Sequence, residues 1–271
     1  MKRVRGRTPQ LAVGRGALTL AASALLVLPR PARAQSVLNT ERVDPLEVSG
    51  LFASVAAGTT LQGGNADVVK LKGNGATGYR ATRSWILLVG GLSYLSSSKK
   101  VSTDDRYLQI RYGRFLSPRT RTFHFVQIQN SREQALSHRL LLGNGVRHSF
   151  VRNANSRLDL GAGVMWESER LDAALLPAGT PTTSHDWRGD FIAFAMHRIS
   201  ATSRLTNMLY VEPRVDLPAD ARLLDELHLL VTIGAGFDLD VGFQWLHDSR
   251  PPGTVRPNDV ELDTALSLTV K

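Results

Sequence analysis

The sequence has 271 residues, of which 42% are hydrophobic and none is cysteine, and its formal charge is +9. The absence of cysteine excludes disulfides, thiolate metal sites and a lipid anchor on an N-terminal cysteine. The length is sufficient for one full-sized domain with its own core.

Residues 1–34 have the composition of a secretory signal peptide. An apolar stretch from Gly16 to Leu28 leads to the small-residue pattern Ala32-Arg33-Ala34, and basic residues precede it at Lys2, Arg3, Arg5, Arg7 and Arg15. The apolar stretch is too short to span a bilayer. Cleavage after Ala34 would remove seven basic residues and no acidic one, which reduces the formal charge from +9 to +2. We therefore predict export through the Sec pathway and no nucleic-acid partner, which would require a basic patch on the mature domain.

Residues 35–49 are predicted to form a periplasmic N-terminal segment, and residues 50–271 to form a β-domain. No run of about twenty apolar residues follows Ala34, so the sequence predicts no transmembrane helix. Apolar and polar residues instead alternate in twelve segments separated by Gly, Pro, Asn, Asp and Ser, as in strands. The segments begin near Leu51, Asp67, Ser84, Asp104, Thr120, Leu136, Ser156, Trp187, Ser203, Arg222, Asp238 and Asp259.

The connections between these segments alternate in length. The even-numbered segments are followed by the short connections "ATRS", "SPRT", "NANS", "SATS" and "FDLD", whereas several odd-numbered ones are followed by long loops such as "LDAALLPAGTPTTSHD" and "DSRPPGTVRPND". Short turns at one rim and longer loops at the other are typical of outer-membrane barrels with both termini in the periplasm. The fold class predicted is all-β, an antiparallel transmembrane β-barrel of about 12 strands.

The two faces of the clearest segments differ in chemistry. In the tenth segment Leu227, Leu229 and Val231 share one face, and Glu226 and His228 lie on the other. A soluble barrel points its apolar face inward, whereas charge and glycine on one face fit a polar lumen and an apolar lipid face. The third and eighth segments are apolar on both faces, and their orientation stays open.

Charged residues at the predicted inward positions are the candidate site. The basic ones, on the second, fourth and sixth segments, are Lys70, Lys72, Arg111, Arg139 and Arg147. The acidic ones, on the seventh, tenth and twelfth, are Asp159, Glu167, Glu226, Glu261 and Asp263. Opposite signs on opposite walls would produce a transverse field in a narrow pore. Alternatively, the same groups would form salt-bridge networks that plug the barrel, since unpaired buried charge is costly.

Three stretches also resemble a known family. They are "DDRYLQIRYGRFLSPRTRTFHFVQIQNSREQALSHRLLLGNGVRHSF", "RLDLGAGVMWESERLD" and "HDSRPPGTVRPNDVELDTALSLTV". Within the sequence the most specific pieces are Gly143-x-Gly145, Asp248-Ser249-x-Pro251-Pro252 and the "GGN" at Gly63 to Asn65. The chain resembles the bacterial family called domain of unknown function 481, which includes salt-stress-induced outer-membrane proteins. The resemblance implies an outer-membrane barrel and brings no established activity.

The leading functional hypothesis is a narrow channel or a stress-related structural barrel, and the alternatives are an outer-membrane hydrolase and a soluble exported all-β binding protein. For the hydrolase, strand pairing would place His124 near Asn144, with Tyr112 beside His124. No serine or threonine is expected within reach on that face, and a nucleophile next to its base is the defining geometry. We therefore predict that the chain is not an enzyme.

No cofactor or metal is predicted, because the histidines have neither HxH nor HxxxH spacing. The predicted partners are outer-membrane lipid and lipopolysaccharide, the barrel-assembly machinery and small solutes or ions. The segment from Ser102 to Asp105, "STDD", is an alternative site for a divalent cation that bridges lipopolysaccharide.

Overall fold

The computed structural model describes residues 50–62, 68–97, 100–234, 237–253 and 255–270. Within these ranges it does not describe the side chains of residues 56, 58–62, 68, 70, 100, 263 and 267–270. The predicted signal peptide, the N-terminal segment and the "GGN" motif lie outside the described residues.

Twelve strands are present, as predicted. They are β1 (Gly50–Gln62), β2 (Val68–Arg80), β3 (Ser84–Ser97), β4 (Lys100–Phe115), β5 (Thr120–Ser131), β6 (Leu136–Arg152), β7 (Ser156–Leu171), β8 (Thr183–Arg198), β9 (Ser203–Pro213), β10 (Ala221–Gly234), β11 (Phe237–Asp248) and β12 (Asn258–Val270). A short 3₁₀ helix, Ala173–Leu175, lies between β7 and β8. In the part of the chain described, no helix has the length and apolar character needed to cross a membrane.

Each strand pairs in antiparallel fashion with its neighbours in sequence, and β1 pairs with β12 to close the barrel. The closing seam is short: over the described residues it has four registered positions, from Ala53 opposite Val270 to Ala56 opposite Ser267. By contrast, β1 and β2 are in register over their full length, from Gly50 opposite Arg80 to Gln62 opposite Val68. A flat sheet would leave the backbone groups of its two edge strands without hydrogen bonds. Here those strands, β1 and β12, pair with each other, and a sheet in lipid requires this closure because lipid offers no hydrogen bonds.

In three of the short turns, a side-chain oxygen accepts hydrogen bonds from backbone N–H groups of the same turn. The Ser117 Oγ accepts hydrogen bonds from two backbone N–H groups downstream, those of residues 119 and 120. Asn153 and Ser200 do the same in the turns after β6 and β8. Such Asx and Ser turns replace the lost strand hydrogen bonds, which explains how the chain reverses within a few residues.

The longer connections lie at the opposite rim, and two of them are shorter than predicted. β4 begins at Lys100 and β8 at Thr183, each four residues before the predicted start. The alternative cation site, Ser102 to Asp105, therefore lies within β4. The backbone pairing continues past the apolar band, where polar side chains obscure the alternation from which strands are predicted.

The outer face of the barrel is apolar. On β7, Leu158, Leu160 and Val164 are exposed on the outside, while Asp159 and Met165 are fully buried within. Leucine, isoleucine, valine and phenylalanine occupy corresponding outward positions on the other strands. Apolar side chains at the outward positions of strand after strand are typical of a surface in lipid. The alternative of a soluble binding protein was therefore wrong.

The structure shows which faces of β3 and β8 point into the barrel, an assignment that the sequence pattern left open. β3 points Trp85, Leu87 and Val89 into the barrel, and β8 points Ile192 and Phe194 inward. Their outward positions are also apolar, which is why the alternation could not assign their faces.

Aromatic side chains and histidines form pairs toward the strand ends of the outer face. The rings of Trp166 and His185 are stacked, with centroids 5.9 Å apart, near the long-loop rim. Tyr112 and His124 stack at 6.1 Å nearer the short turns. Amphipathic rings are typical of membrane–water interfaces, so the band between these pairs marks the hydrocarbon region.

An arginine at Val164 should destabilise the barrel far more than an arginine at Leu158. Both residues lie on the outer face of β7, where they are 44% and 36% exposed, but Val164 is central in the strand and Leu158 is near its short-turn end. We expect Val164→Arg to cost about 2–4 kcal/mol and Leu158→Arg about 0–1 kcal/mol, because the cost of a lipid-facing charge depends on depth. Urea unfolding in lipid vesicles measures both, and equal losses would contradict the proposed position of the bilayer.

Candidate functional site: the charged interior of the barrel

Most of the predicted lumen residues point into the barrel and are buried. Six have at most 4% of their surface exposed, namely Arg111, Arg139, Arg147, Asp159, Glu167 and Glu226. Lys72 and Glu261 are partly exposed and form an ion pair at 3.3 Å, in which the Lys72 side chain is 36% exposed. The remaining two candidate side chains, those of Lys70 and Asp263, lie outside the described residues.

Glu167 is the centre of an ion-pair network near the long-loop rim. Its Oε1 lies 2.9 Å from Arg139 Nε, and its Oε2 accepts a hydrogen bond from Arg188 Nε at 2.7 Å. Arg222 donates to Glu167 Oε1 and, at 3.1 Å, to Glu169 Oε2. Arg139 also donates to Glu169, at 3.2 Å. Because Arg222 is on β10 and Arg139 on β6, the network links inward side chains along one arc of the wall, and it joins strands that are not neighbours.

Two further carboxylates extend this network, which we call the Glu167 network, to the loops. Arg222 Nε donates to Asp248 at 3.2 Å, at the end of β11. Arg188 Nη2 donates to Asp220 at 3.1 Å, in the loop before β10. The loop of residues 214–220 has its own exposed ion pair, in which the hydrogen bond from Arg214 holds the pKa of the Asp216 carboxyl below its ordinary value.

The sequence reasoning missed Arg188, Glu169 and Arg222 as interior residues. Arg188 is on β8, where both faces are apolar and the alternation gives no orientation, and Arg222 is the first residue of its predicted strand. Glu169 is two residues from Glu167 on β7 and therefore faces the same side of the strand. The alternation alone thus identifies Glu169 as an inward residue.

A second charged cluster lies near the short-turn rim. There Asp159 receives a hydrogen bond from Arg121 at 2.7 Å and another from Arg157. Its Oδ2 is 3.3 Å from Arg147 Nε. Three guanidinium groups thus surround one carboxylate, and this end of the interior carries excess positive charge.

An apolar layer separates the two charged clusters. Its fully buried members include Leu141, Met165 and Tyr210, and it extends from β5 to β11. The Phe125 ring occupies the space above Gly143, where a Cβ would overlap it, and Phe123 similarly covers Gly145. The Gly-x-Gly motif of the sixth strand therefore makes room for two aromatic rings. The expectation of a wholly polar lumen was wrong in this layer.

The Arg111 guanidinium lies in this layer, against two aromatic rings and within electrostatic range of the buried Asp190 carboxylate. Its guanidinium lies 5.4 Å from the centre of the Phe125 ring and 5.9 Å from that of Phe123. A delocalised cation over aromatic faces is a favourable contact in a site from which water is excluded.

The charges do not separate onto opposite walls, so the predicted transverse field is absent from the described part of the barrel. The net charge varies along the barrel axis instead. The described short turns, residues 81–83, 116–119, 153–155 and 199–202, contain Arg83 and Arg119 and no acidic residue. The described connections at the other rim are balanced, with four acidic residues (Glu133, Asp172, Asp216 and Asp220) and four basic ones (Arg132, Arg214, Arg250 and Arg256). A field along the axis, positive at the short-turn mouth, follows from this arrangement.

On one arc of the wall the inward side chains described are partly exposed, apart from the buried Phe52 and Asp259, and several of them are small. This arc comprises β12, β1 and β2, where the inward residues include Ser54, Asn74, Ala76 and Ala265. Across the barrel, the inward side chains of β5 to β10 are mostly buried. The inward side chains described on this arc are therefore more accessible to solvent than those across the barrel, and we call it the open arc.

The residues of the hydrolase hypothesis lie together on the outer face. Strand register places Tyr112 opposite His124 and His124 opposite Asn144, as predicted. Thr122 lies on the same face, two residues from His124. The Thr122 Oγ1 accepts a hydrogen bond from the Arg114 backbone N–H at 3.2 Å. The absence of enzymatic activity stays a prediction.

Among the described residues, no group of three histidine or acidic side chains is arranged to hold a metal ion. Asp104, part of the alternative cation segment, instead accepts hydrogen bonds from Arg106 at 3.0 and 3.2 Å.

Solved membrane barrels are similar to this fold. The chain is 9% identical to the NanC porin, with a TM-score of 0.45 over 80% of this chain and 97% of that one. It is 8% identical to the CymD monoaromatic hydrocarbon channel, with a TM-score of 0.44 over 88% and 94% of the two chains. For an outer-membrane channel from Pseudomonas putida F1 the identity is 10% and the TM-score 0.44, over 90% and 98%. Similarity at this level concerns the fold and not the solute.

No curated protein matches the sequence. The family described as protein of unknown function DUF481 matches residues 55–270, which confirms the resemblance found in the sequence. The chain therefore belongs to the family called domain of unknown function 481.

Proposed function

We propose that this protein is a narrow outer-membrane channel for small hydrophilic solutes or ions, and that passage follows the open arc. The observation that carries the proposal is the contrast between small, partly exposed inward residues on β12, β1 and β2 and buried ones on β5 to β10. A barrel of twelve strands lies between filled eight-stranded and open sixteen-stranded barrels, so a partly filled interior is reasonable.

The proposed location is supported by the signal-peptide pattern of residues 1–34 and by the apolar outer face. In this location the partners would be outer-membrane lipid, lipopolysaccharide at the long-loop side and the barrel-assembly machinery. Both termini of the barrel would lie in the periplasm, on the side of the short turns.

The Lys72–Glu261 ion pair is the proposed constriction. The two residues are on β2 and β12, separated by β1, so their 3.3 Å contact lies over the middle of the open arc. Paired opposite charges beside a narrow passage favour solutes that can exchange hydrogen bonds with both groups.

A closed structural barrel is the second candidate. It is favoured by the Glu167 network and the apolar layer, which together fill the interior between β5 and β11. In this case the buried charges would contribute to specifying the barrel's structure rather than to transport.

Replacing Ala265 with tryptophan should abolish most of the conductance of the purified protein in planar bilayers. Ala265 is a small inward residue of the open arc, and an indole ring there would occupy the passage. Leu266→Trp is the matched control, because Leu266 is the next residue and points to lipid with 51% of its surface exposed. A wild-type protein that migrates as a folded barrel but does not conduct would favour the structural candidate, and equal conductance in both variants would place the passage elsewhere.

A further inference from the structure

A cavity of about 630 Å³ lies at the short-turn mouth, between the ends of β2, β4 and β6. Four arginines line it, namely Arg80, Arg83, Arg114 and Arg152. The other lining residues include Thr82, Phe115 and Ser117, and none of the lining residues is acidic. The wall thus combines concentrated positive charge, two hydroxyl groups and one aromatic ring.

The frame around the cavity is fixed by hydrogen bonds. The Phe115 N–H donates to the Arg83 carbonyl at 2.9 Å, which ties the turn after β2 to the end of β4. Arg152 Nη1 donates to the Pro118 carbonyl at 2.7 Å, which joins the end of β6 to the turn after β4. Arg80 lies over the Phe115 ring, with Cζ 5.2 Å from the ring centre. These contacts hold the ends of β2, β4 and β6, and with them the four arginines, around one cavity.

The positive charges in this cavity repel one another. Arg152 lies close enough to Arg80 for the two like charges to repel. Repulsion between cations held in one cavity makes an anion a stabilising occupant, because the anion offsets the cost of assembling them.

The hydroxyl groups suit the same occupant. The Ser117 Oγ accepts hydrogen bonds from two backbone N–H groups. Its own O–H can therefore donate a hydrogen bond to an anion in the cavity. A phosphate group presents several charged oxygens, which guanidinium forks bind in bidentate fashion, and four arginines exceed what a single carboxylate would neutralise.

We propose that this cavity binds a phosphate group. The phosphate belongs either to an anionic phospholipid of the inner leaflet or to a small phosphorylated solute in the periplasm. The site goes beyond the proposed channel function and does not depend on whether the lumen conducts.

The test compares two double variants of the mature protein. Arg83→Gln with Arg114→Gln removes two charges from the cavity wall. Arg119→Gln with Arg198→Gln removes two exposed arginines of the same rim that do not line the cavity. Heat-modifiable migration in unboiled gels verifies that both variants fold.

Two probes distinguish the sources of the phosphate. Calorimetric titration with glycerol phosphate, on protein in neutral detergent, measures binding of a free solute. Native mass spectrometry from phosphatidylcholine nanodiscs, with and without phosphatidylglycerol, counts retained anionic lipid. We expect one of the probes to bind, and the cavity variant to weaken that binding by about tenfold or more, since it lacks two of the four charged donors.

Binding of glycerol phosphate would identify a solute site, and retention of phosphatidylglycerol alone would identify a lipid site. The proposal is overturned if neither probe binds to the wild type, or if the cavity variant binds as well as the wild type. Equal weakening in the control variant would also overturn it, because attraction to a generally basic rim would then explain the binding.

Discussion

Glu167→Gln should lower the free energy of unfolding by about 3–5 kcal/mol, the range found when one partner of a buried ion pair is removed. Glu167 is fully buried and contacts three arginines, Arg139, Arg188 and Arg222. Glutamine keeps the shape of the side chain but removes its charge, so the three guanidinium groups lose their shared counter-ion. Urea unfolding of the barrel in lipid vesicles, followed by heat-modifiable migration, measures the loss.

Asp216→Asn is the control for this prediction. Asp216 also pairs with an arginine, at 2.6 Å from Arg214 Nη2, but the pair is exposed on the loop of residues 214–220. Solvent screening makes such a pair weak, so we expect no measurable change in stability. If Glu167→Gln were as stable as the wild type, water would have to enter the Glu167 network, and the interior would be more open than the structure indicates.

Phe125→Ala should cost about 3–5 kcal/mol, as large-to-small replacements in cores do. The ring is buried in the apolar layer, contacts Arg111 and fills the space above Gly143. Gly143→Ala alone should also destabilise the barrel, by about 1–3 kcal/mol, because its methyl group would overlap the ring.

The double variant tests whether the two effects have one cause. Once Phe125 is alanine, the methyl group at Gly143 enters the space that the ring has left, so Gly143→Ala should then cost little. The resulting coupling, about 1–3 kcal/mol, is that of residues in direct contact. Gly75→Ala is the control in both backgrounds, since a Cβ there would meet only the Ser54 carbonyl at an ordinary 3.5 Å. Additive effects of Phe125→Ala and Gly143→Ala would show that the Gly-x-Gly motif has another role.

The strands and their outward faces could be predicted because a strand's alternation is local in sequence. Successive side chains of β7 or β10 point to opposite faces of the sheet. Because one face contacts lipid, every second residue is apolar, and this pattern identifies the outward positions. The alternation is lost on β8, where Ile192 and Phe194 belong to the interior apolar layer and Phe191 faces lipid. Apolar residues on both faces are then consistent with either orientation.

The interior pairing could not be predicted because it depends on contacts between segments far apart in sequence. Glu167 and Arg222 meet from strands that are not neighbours, and no local pattern shows which inward side chains are long enough to reach each other. The basic cavity was missed for a similar reason. Its arginines are distributed over three strands and a turn, and they are close together only after β2 to β6 have paired into one sheet.

The short seam between β1 and β12 has a consequence for how the barrel forms. Every other strand pair in the described chain joins segments that follow one another in sequence, so those pairs are local contacts that can form one hairpin at a time. The seam joins the two ends of the sheet, and the entropy of closing that long loop must be offset by the few registered positions from Ala53 to Ala56. Contacts between distant segments slow folding. Closure at this seam is therefore expected to be the last and rate-limiting step of folding, and unfolding should begin there by separation of β12 from β1.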